Sequence, residues 1–497
     1  MKYISTRDKS ISFSSSQAIA KGISKEGGLF VPEQIPSLSL EKISSLIKLD
    51  YISRAKEILK LFLTDFSDEE LSYCVENAYK EGKFSSEKVA PTVNVYENIN
   101  MLELWRGPTC AFKDMALQLL PYLLTVSSKK ACPDEKIVIL VATSGDTGKA
   151  ALEGFKDVPN TQILVFYPVD GVSPMQKLQM TTQQGENVSV CAIRGNFDDA
   201  QNGVKAIFTN KEIEEKFKAN SLAFSSANSI NWGRLVPQIV YYVSAYCDLV
   251  ENGSLKLGDV MNVTVPTGNF GNILAAYYAK KMGVPINKLI CASNSNNVLT
   301  DFINTGIYDK NRQFYMTASP SMDILISSNL ERLLFLLSGM DDEVLRGWMK
   351  SLSENGKYQV TDKVLALLQK DFAAGCCDDE MTKKTIREMY EKHGYLCDTH
   401  TAVAVNVAES YIKKTGDKTP MIIASTANPY KFSKSVLSAV KENVQSQDEF
   451  SMVEELNALT GVPVPEQLAS LKGKQPRFTQ VADREEMPSV VLKMLSL

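Results

Sequence analysis

The sequence predicts an α/β protein with two doubly wound, mainly parallel sheets, an N-terminal helical region and a helical insertion. The first observation is a set of short, β-branched runs that are apolar throughout, as strands buried on both faces are. The second is that amphipathic stretches separate these runs, and strand–helix alternation is typical of parallel sheets. The predicted strands lie in KIVILVAT, TQILVFYP, VSVCAIRG, LAFSSA, NVTVPTG, KLICASN and PMIIAST.

Changes in composition divide the chain into successive parts. Residues 1–95 carry apolar spacings such as that of YISRAKEILKLFL and form the predicted N-terminal, mostly helical region. We expect a smaller α/β domain over 96–205 and a larger one over 206–473, with the helical insertion at about 329–391. Residues 474–497 form a polar C-terminal tail that ends in a short apolar helix.

Composition argues against several functional classes. The chain has 497 residues and a net charge of −4, whereas nucleic-acid binding needs a basic face. The nine cysteines are scattered without a CxxC pair, so we expect buried thiols rather than a disulfide framework or a zinc site. No run approaches the roughly 18 apolar residues of a membrane span. We therefore expect a soluble, cytoplasmic protein without nucleic-acid or membrane partners, acting as a monomer or homodimer.

Histidine usage limits the chemistry further. The chain has two histidines, His393 and His400, and their seven-residue spacing is not that of the usual helical metal pair. The HExxH, GxSxG and GxGxxG patterns are absent, and a P-loop would need glycine where Thr143 stands. We expect no metal, and acid–base chemistry must come from lysine, carboxylates or a cofactor.

Two strand–turn–helix junctions have the composition of anion-binding sites. The first is TSGDTG at 143–148 and the second is TGNFGN at 267–272. A helix that begins at the carboxyl end of a parallel strand offers free N–H groups, and glycine lets an anion approach closely. Either loop alone is equally well interpreted as a tight turn. Together they favour two anionic groups, or an anionic cofactor with an anionic substrate.

Lys113 lies in an apolar helix start, ELWRGPTCAFKDMALQLL. A lysine at such a position commonly extends its amine to solvent along an apolar surface. With no useful histidine and an anion loop nearby, a Schiff base with an aldehyde cofactor is the alternative. Pyridoxal phosphate has both the aldehyde and the phosphate that these features would bind.

Long motifs along nearly the whole chain identify a family. They include GGLFVPEQIP, LELWRGPTCAFKDMA, VATSGDTGKAA, SPMQKLQM, NSINWGRLVPQIVYY, VPTGNFGNILAAYYAKKMG, PSMDILISSNLERLL and ASTANPYKF. In these motifs the chain resembles the threonine synthases, pyridoxal-phosphate enzymes with the fold of the tryptophan synthase β subunit. The likeness is to the longer bacterial and fungal branch, and it implies that the cofactor lies between the two sheet domains.

The resemblance implies a role for each candidate residue. Lys113 would bind the cofactor covalently, Thr426 would hydrogen-bond the pyridine nitrogen, and Asp146 would lie near the 3′-oxygen. The residues expected around the cofactor phosphate are Gly268, Asn269, Phe270, Gly271 and Asn272. The residues expected around the substrate phosphate are Ser144, Thr147, Lys177, Asn231 and Arg234. Further pocket candidates are Glu103, Ser321 and Asp323, for which a capping or turn role is an equal alternative.

The implied reaction converts O-phospho-L-homoserine and water into L-threonine and phosphate by elimination and β-addition, the last step of threonine biosynthesis. A phospho-amino-acid lyase on the same scaffold, releasing a keto acid and ammonia, is the alternative activity. A cofactor-bearing but inactive regulatory protein is a third reading. Arg106, Asn428 and Tyr430 depart from the usual family motifs. We expect them to affect rate or specificity rather than cofactor binding.

Overall fold

A computed structural model describes residues 1–131, 135–143, 145–170, 172–444, 446 and 448–497, apart from the side chain of residue 198. Within these residues, no helix combines the length and the apolar character that crossing a membrane requires.

The strands, in chain order, are β1 Tyr3–Ser5, β2 Ser12–Phe13, β3 Phe30–Pro32, β4 Thr92–Tyr96, β5 Ile99–Glu103, β6 Lys136–Ala142, β7 Thr161–Pro168, β8 Val188–Ile193, β9 Leu222–Ser225, β10 Met261–Pro266, β11 Ile286–Ser293, β12 Ile307–Asp309, β13 Lys357–Gln359, β14 Phe372–Cys376, β15 Met421–Ser425 and β16 Val481–Ala482.

The α-helices are α1 Ser15–Lys21, α2 Leu40–Leu46, α3 Tyr51–Phe62, α4 Asp68–Tyr79, α5 Lys113–Leu117, α6 Leu120–Ala131, α7 Asp146–Phe155, α8 Pro174–Thr181, α9 Phe197–Phe208, α10 Lys211–Ala219, α11 Trp232–Glu251, α12 Gly271–Met282, α13 Val298–Thr305, α14 Leu330–Leu337, α15 Asp342–Asn355, α16 Asp362–Asp371, α17 Asp379–His393, α18 Thr399–Thr415, α19 Ser433–Val440, α20 Glu449–Thr460, α21 Glu466–Ala469 and α22 Met487–Met494. Short 3₁₀ turns span Pro320–Met322, Pro429–Phe432 and Arg484–Glu486.

The larger sheet has six strands in the order β14-β11-β10-β15-β5-β4. All neighbours are parallel except β4, which runs antiparallel to β5 at one edge. Strands β5, β10 and β15 are buried along their length, which explains why their sequences are apolar without alternation. The carboxyl ends of these three strands therefore lie at one edge of the sheet, where α/β proteins bind ligands.

The smaller sheet has five parallel strands in the order β16-β8-β7-β6-β9. Its carboxyl edge carries the TSGDTG junction after β6 and the start of α11 after β9. Helix α11 is buried along nearly all of its length, and it packs against α3, α5 and α12. Helix α11 therefore links the N-terminal helix α3 to α5 and α12, the helices that begin at the carboxyl edge of the larger sheet.

The predicted α/β class with two mainly parallel sheets, an N-terminal helical region and a helical insertion is confirmed. Sheet membership differs from the predicted domain boundaries: β5 pairs in the larger sheet, and β9 and β16 pair in the smaller one. The expected insertion also contributes β14 to an edge of the larger sheet, and β1–β3 form a small antiparallel sheet. An apolar run does not encode which of two sheets buries it, so chain order alone misassigned these strands.

Candidate active site

Lys113 begins helix α5 at the carboxyl edge of the larger sheet. An antiparallel bridge between Ala111 and Ala427 attaches its segment to the end of β15, and the Phe112 N–H donates to the Thr426 carbonyl at 2.7 Å. The Lys113 side chain is only 11% exposed. Of the two sequence interpretations, the structure therefore excludes an amine that extends into solvent.

The Lys113 amine faces one hydroxyl and one carboxylate. Its Nζ donates to Ser321 Oγ at 3.3 Å and lies 3.7 Å from Asp146 Oδ2. Burial lowers the pKa of Lys113, and nearby Lys431 and Arg234 act in the same direction against Asp146. This environment favours the neutral amine, which is the nucleophilic form.

The loop at 267–272 forms an anion cradle between β10 and α12. Phe270 adopts a left-handed conformation with φ of 65° as it caps α12, and the first backbone bond of the helix runs from Leu274 N to Phe270 O. The amides of the first turn are therefore available to a ligand. A Cβ on Gly268 would lie 2.5 Å from the Ser321 carbonyl oxygen, so glycine lets the loop pack against the segment that contacts Lys113.

Asn272, a residue of this cradle, has an unpaired amide group. Its Oδ1 accepts from the Tyr242 hydroxyl and, at 2.9 Å, from the Tyr241 hydroxyl, whose one proton is shared with Gln238 Oε1 at 2.9 Å. Its buried Nδ2 has no partner among the described residues. Because both phenols hold the oxygen, the amide orientation is fixed and its NH₂ group is left to donate. A buried donor of this kind needs a ligand acceptor or a water molecule.

Arg234 is a buried guanidinium on α11. It donates through Nη1 to the Ala227 carbonyl at 2.5 Å, and its Nε is buried without a partner in the described part of the chain. Burial lowers the pKa of Arg234 to about 10. The guanidinium stays charged at neutral pH, and that charge is available to an anion.

The TSGDTG junction brings a carboxylate to the same place. Asp146 begins α7, and its Oδ1 accepts from Lys431 Nζ at 2.7 Å and from Gln176 Nε2 at 2.9 Å. Although burial acts to raise it, the pKa of Asp146 lies well below its usual range because Lys431 and Lys113 are close. The contact of Asp146 with Lys113 joins the carboxyl edges of the two sheets.

The remaining predicted residues have different surroundings. Thr147 is half-buried in the first turn of α7, and Lys177 is exposed on α8. Asn231 caps α11: its Nδ2 donates to two backbone carbonyls and its Oδ1 accepts from the Gly233 N–H. Its amide hydrogens are thus used within the protein, and its contact with substrate stays a prediction. Ser144 lies outside the described residues.

Among the further candidates, Ser321 contacts Lys113 but Asp323 has a structural role. Asp323 accepts from Asn294 Nδ2 at 2.8 Å and from the Thr317 N–H at 3.0 Å, and so fixes the loop that carries Ser321. The Ser321 N–H donates to His400 Nε2 at 3.1 Å. One of the two histidines therefore supports the site without contacting Lys113.

Arg106, seven residues before Lys113, pairs with Glu103. Its Nε donates to Glu103 Oε2 at 2.8 Å, and its guanidinium carbon lies 4.2 Å from the Trp105 ring centroid. The Trp105 indole donates to Ser425 Oγ at 3.0 Å. Arg106 therefore supports the strand end that precedes Thr426, and its effect on rate or specificity stays a prediction.

Sequence reasoning missed Lys431, the Tyr241–Tyr242 pair and His400 as site residues. Lys431 stands in the ASTANPYKF motif, which the sequence analysis identified, but the sequence does not show that Lys431 pairs with Asp146. A fully buried lysine cannot be distinguished from an exposed one by composition. The tyrosines occur in a helix that is apolar all round, where they suggest core packing.

Profiles of three families match the chain. The profile described as threonine synthase N terminus matches residues 2–79, and that of pyridoxal-phosphate dependent enzymes matches 99–427. The profile described as threonine synthase, C-terminal, matches residues 401–491.

Named relatives agree with these profiles. Threonine synthase-like 1 of Macaca fascicularis is 40% identical over 97% of this chain, and threonine synthase of Saccharomyces cerevisiae is 39% identical over 88% of this chain and 89% of its own length. The present chain spans 66% of the length of the macaque protein. The crystal structure of pyridoxal-phosphate-bound threonine synthase from Brucella melitensis superposes with a TM-score of 0.88 at 36% identity, covering 99% of both chains.

Proposed function

The chain belongs to the threonine synthase family of pyridoxal-phosphate-dependent enzymes, and on that premise we propose that it converts O-phospho-L-homoserine and water into L-threonine and phosphate. The observation that carries the proposal is the buried Lys113 amine beside a set of anion donors that have no partner among the described residues. An aldehyde cofactor needs the amine, and phosphate groups need the donors.

The residues present fit pyridoxal phosphate. Lys113 supplies a buried amine whose pKa is lowered by burial, as Schiff-base formation requires. The cradle at 267–272 supplies the first-turn amides of α12 and the unpaired Asn272 Nδ2 for a phosphate. Thr426 lies beside the Lys113 segment, since its carbonyl accepts from the Phe112 N–H at 2.7 Å, and we propose that its hydroxyl bonds the ring nitrogen. We infer that these residues hold the cofactor.

When bound, pyridoxal phosphate supplies a reactive aldehyde and a ring that accepts electron density from the substrate Cα. Lys113 is the residue that we expect to move protons in the reaction. As a neutral amine it takes the proton from Cα, and as an ammonium it donates a proton at a neighbouring carbon. Ser321 Oγ, at 3.3 Å from Nζ, orients the amine for both transfers.

We propose that Arg234 and the amino end of α7 bind the substrate phosphate. Charge accumulates on this phosphate as its bond to Cγ breaks, and a buried guanidinium stabilises that charge strongly because little water screens it. Thr147 lies in the first turn of the same helix, where further amides are free to donate. Water then adds at Cβ to give threonine.

Composition and cysteine usage support further parts of the proposal. The net charge of −4 supports the absence of a nucleic-acid partner, and the free cysteines found among the described residues support a reducing, cytoplasmic compartment. We propose that the protein works there as a monomer or homodimer, with a small-molecule substrate.

The experiment compares wild-type protein with Lys113→Ala and the exposed Lys177→Ala. The wild-type protein should show a visible absorption band and form threonine from O-phospho-L-homoserine. After reduction with borohydride, it should carry a pyridoxyl group on Lys113. Lys113→Ala should lose the label and the product, whereas Lys177→Ala should keep the label. A label that persists in Lys113→Ala, or release of 2-oxobutyrate and ammonia without threonine, would contradict the proposal.

A further inference from the structure

We propose that Lys431 is a positioning residue that occupies the Asp146 carboxylate and thereby leaves Lys113 as a neutral amine. The inference rests on the proposed function, since it takes Lys113 as the cofactor anchor. It assigns a role to a lysine that is not expected to touch cofactor or substrate.

The geometry gives Asp146 two lysine neighbours at unequal distances. Lys431 Nζ lies 2.7 Å from Asp146 Oδ1, whereas Lys113 Nζ lies 3.7 Å from Oδ2. The Lys431 side chain is 0% exposed, and its amine also donates to the Thr109 carbonyl at 2.9 Å. Lys431 is therefore the hydrogen-bonded partner of the carboxylate, and Lys113 lies at the longer distance of a weaker ion pair.

Lys431 is held in this position by its backbone. It lies in the 3₁₀ turn Pro429–Phe432, which Asn428 caps by accepting from the Tyr430 N–H at 3.0 Å. The Asn428 N–H donates to the Cys110 carbonyl at 3.1 Å, within the segment that leads to Lys113. The amine of Lys431 is thus fixed relative to the Lys113 backbone.

The charges around Lys113 come from three elements. Asp146 approaches from α7, Lys431 from the 3₁₀ turn and Arg234 from α11, whereas the nearby Asp114 carboxylate accepts from Thr109. Lys113 therefore faces one carboxylate and two cations, and that carboxylate is hydrogen-bonded to Lys431, so a positive charge on Lys113 would have only a shared counter-ion in a buried site. Without Lys431, the same carboxylate would pair with Lys113 alone and hold it protonated.

Protonation of Lys113 matters because an ammonium cannot attack an aldehyde or accept the substrate proton. If Lys431 acts as proposed, the cofactor loads onto Lys113 readily at neutral pH. Removing only the Lys431 charge should therefore slow loading at neutral pH and restore it at higher pH.

The test measures how fast added pyridoxal phosphate reacts with Lys113 in full-length protein from which the cofactor has been removed. Borohydride traps the adduct at a series of pH values, and peptide mass spectrometry quantifies the label on Lys113. The variants are Lys431→Met, Asp146→Asn and the double variant. Lys434→Met, an exposed lysine three positions later, is the matched control.

We expect Lys431→Met to raise the pH midpoint of labelling by at least about one unit, which is roughly tenfold slower labelling below the midpoint. The double variant should return close to the wild-type midpoint, because it removes both charges, and it should fold even if Lys431→Met alone does not. Asp146→Asn should lower the midpoint, since Lys431 then repels a protonated Lys113 without a carboxylate between them. Lys434→Met should match wild type.

A wild-type midpoint in Lys431→Met would overturn the inference, as would a double variant that stays shifted like the single one. If Lys431→Met does not fold, Asp146→Asn decides: an unchanged or raised pH midpoint of labelling in that variant would overturn the inference. Failure of the wild-type protein to label at Lys113 would overturn the proposed function, and this inference with it.

Discussion

At the scale of single residues, the site depends on groups that orient Lys113 rather than on Lys113 alone. His400 is the clearest example. Its Nε2 accepts from the Ser321 N–H, so the ring proton is on Nδ1, where Asp398 Oδ2 lies at 2.7 Å. This tautomer holds the loop from which Ser321 Oγ reaches Lys113.

We predict that His400→Leu weakens cofactor binding by roughly tenfold, because the half-buried Ser321 N–H loses its acceptor at a cost of about 1–3 kcal/mol. His400→Gln should retain most of the affinity, since its amide oxygen can replace Nε2 as acceptor. Titration of cofactor-free protein with pyridoxal phosphate measures both, with His393→Leu as the control. Equal losses in the Leu and Gln variants would refute the role.

Asp114, beside Lys113, should make stability depend on pH. Burial raises the pKa of Asp114 to about 6, above its usual range, although Thr109 donates to both carboxylate oxygens. A folded-state pKa above the unfolded value stabilises the protein at low pH, and this contribution is lost as pH rises through about 6.

Asp114→Asn should remove this contribution, because an amide does not titrate. Between about pH 5 and pH 7, the free energy of unfolding of wild type should fall by roughly 1 kcal/mol more than that of the variant. Melting temperatures of both proteins at the two pH values provide the measurement. A difference in melting temperature between wild type and Asp114→Asn that is the same at both pH values would contradict this prediction.

At the scale of elements, the amino end of α12 is completed by side chains from α11. Tyr241 and Tyr242 both donate to Asn272 Oδ1, which leaves the amide NH₂ group for the cradle. The sequence predicted the loop and its helix from the strand–turn–helix pattern. It could not predict the tyrosine contacts, because they depend on how two helices pack.

We predict that Tyr241→Phe and Tyr242→Phe each change affinity little, since the other phenol still fixes the amide. The double variant should bind pyridoxal phosphate roughly tenfold more weakly while binding pyridoxal, which lacks the phosphate, as wild type does. Tyr246→Phe is the control, since this residue is on the same helix but its phenol donates to the Asp259 carbonyl, away from Asn272. Equal weakening for both ligands would show general damage to α11.

At the scale of the whole molecule, the C-terminal segment connects the two sheets. Glu449 of α20 accepts from the Met175 N–H of α8 at 2.9 Å, and β16 then pairs with β8 at the edge of the smaller sheet. The sequence predicted a solvated tail with a final apolar helix, and α22 is present. The pairing of β16 is too short to leave a sequence signal.

Substitution of Val491 tests whether α22 stabilises the edge of the smaller sheet. Val491 is 0% exposed in α22, and Val491→Asp would bury a charge and lose about 1.5–3 kcal/mol of apolar burial. Hydrogen exchange should accelerate in β8 and α9, while the six-stranded sheet stays protected. Lys493→Asp, an exposed change on the same helix, should leave exchange unchanged. Acceleration throughout both sheets would show that the tail stabilises the molecule as one unit.

The sequence predicted the sheets, the two loops and Lys113, because buried parallel strands and glycine-rich junctions have local signatures. It did not predict the Lys431–Asp146 ion pair or the support of Ser321 by His400. Each of these contacts joins residues far apart in the chain, so only the folded structure brings them together.

In the proposed reaction, phosphate leaves from Cγ and water adds at Cβ. Turnover of O-phospho-L-homoserine in ¹⁸O-labelled water tests it directly. We predict equal amounts of threonine and phosphate, with the label in the threonine hydroxyl and none introduced into phosphate by the reaction. Label in phosphate together with homoserine would show simple phosphate-ester hydrolysis and would contradict the proposed elimination and addition.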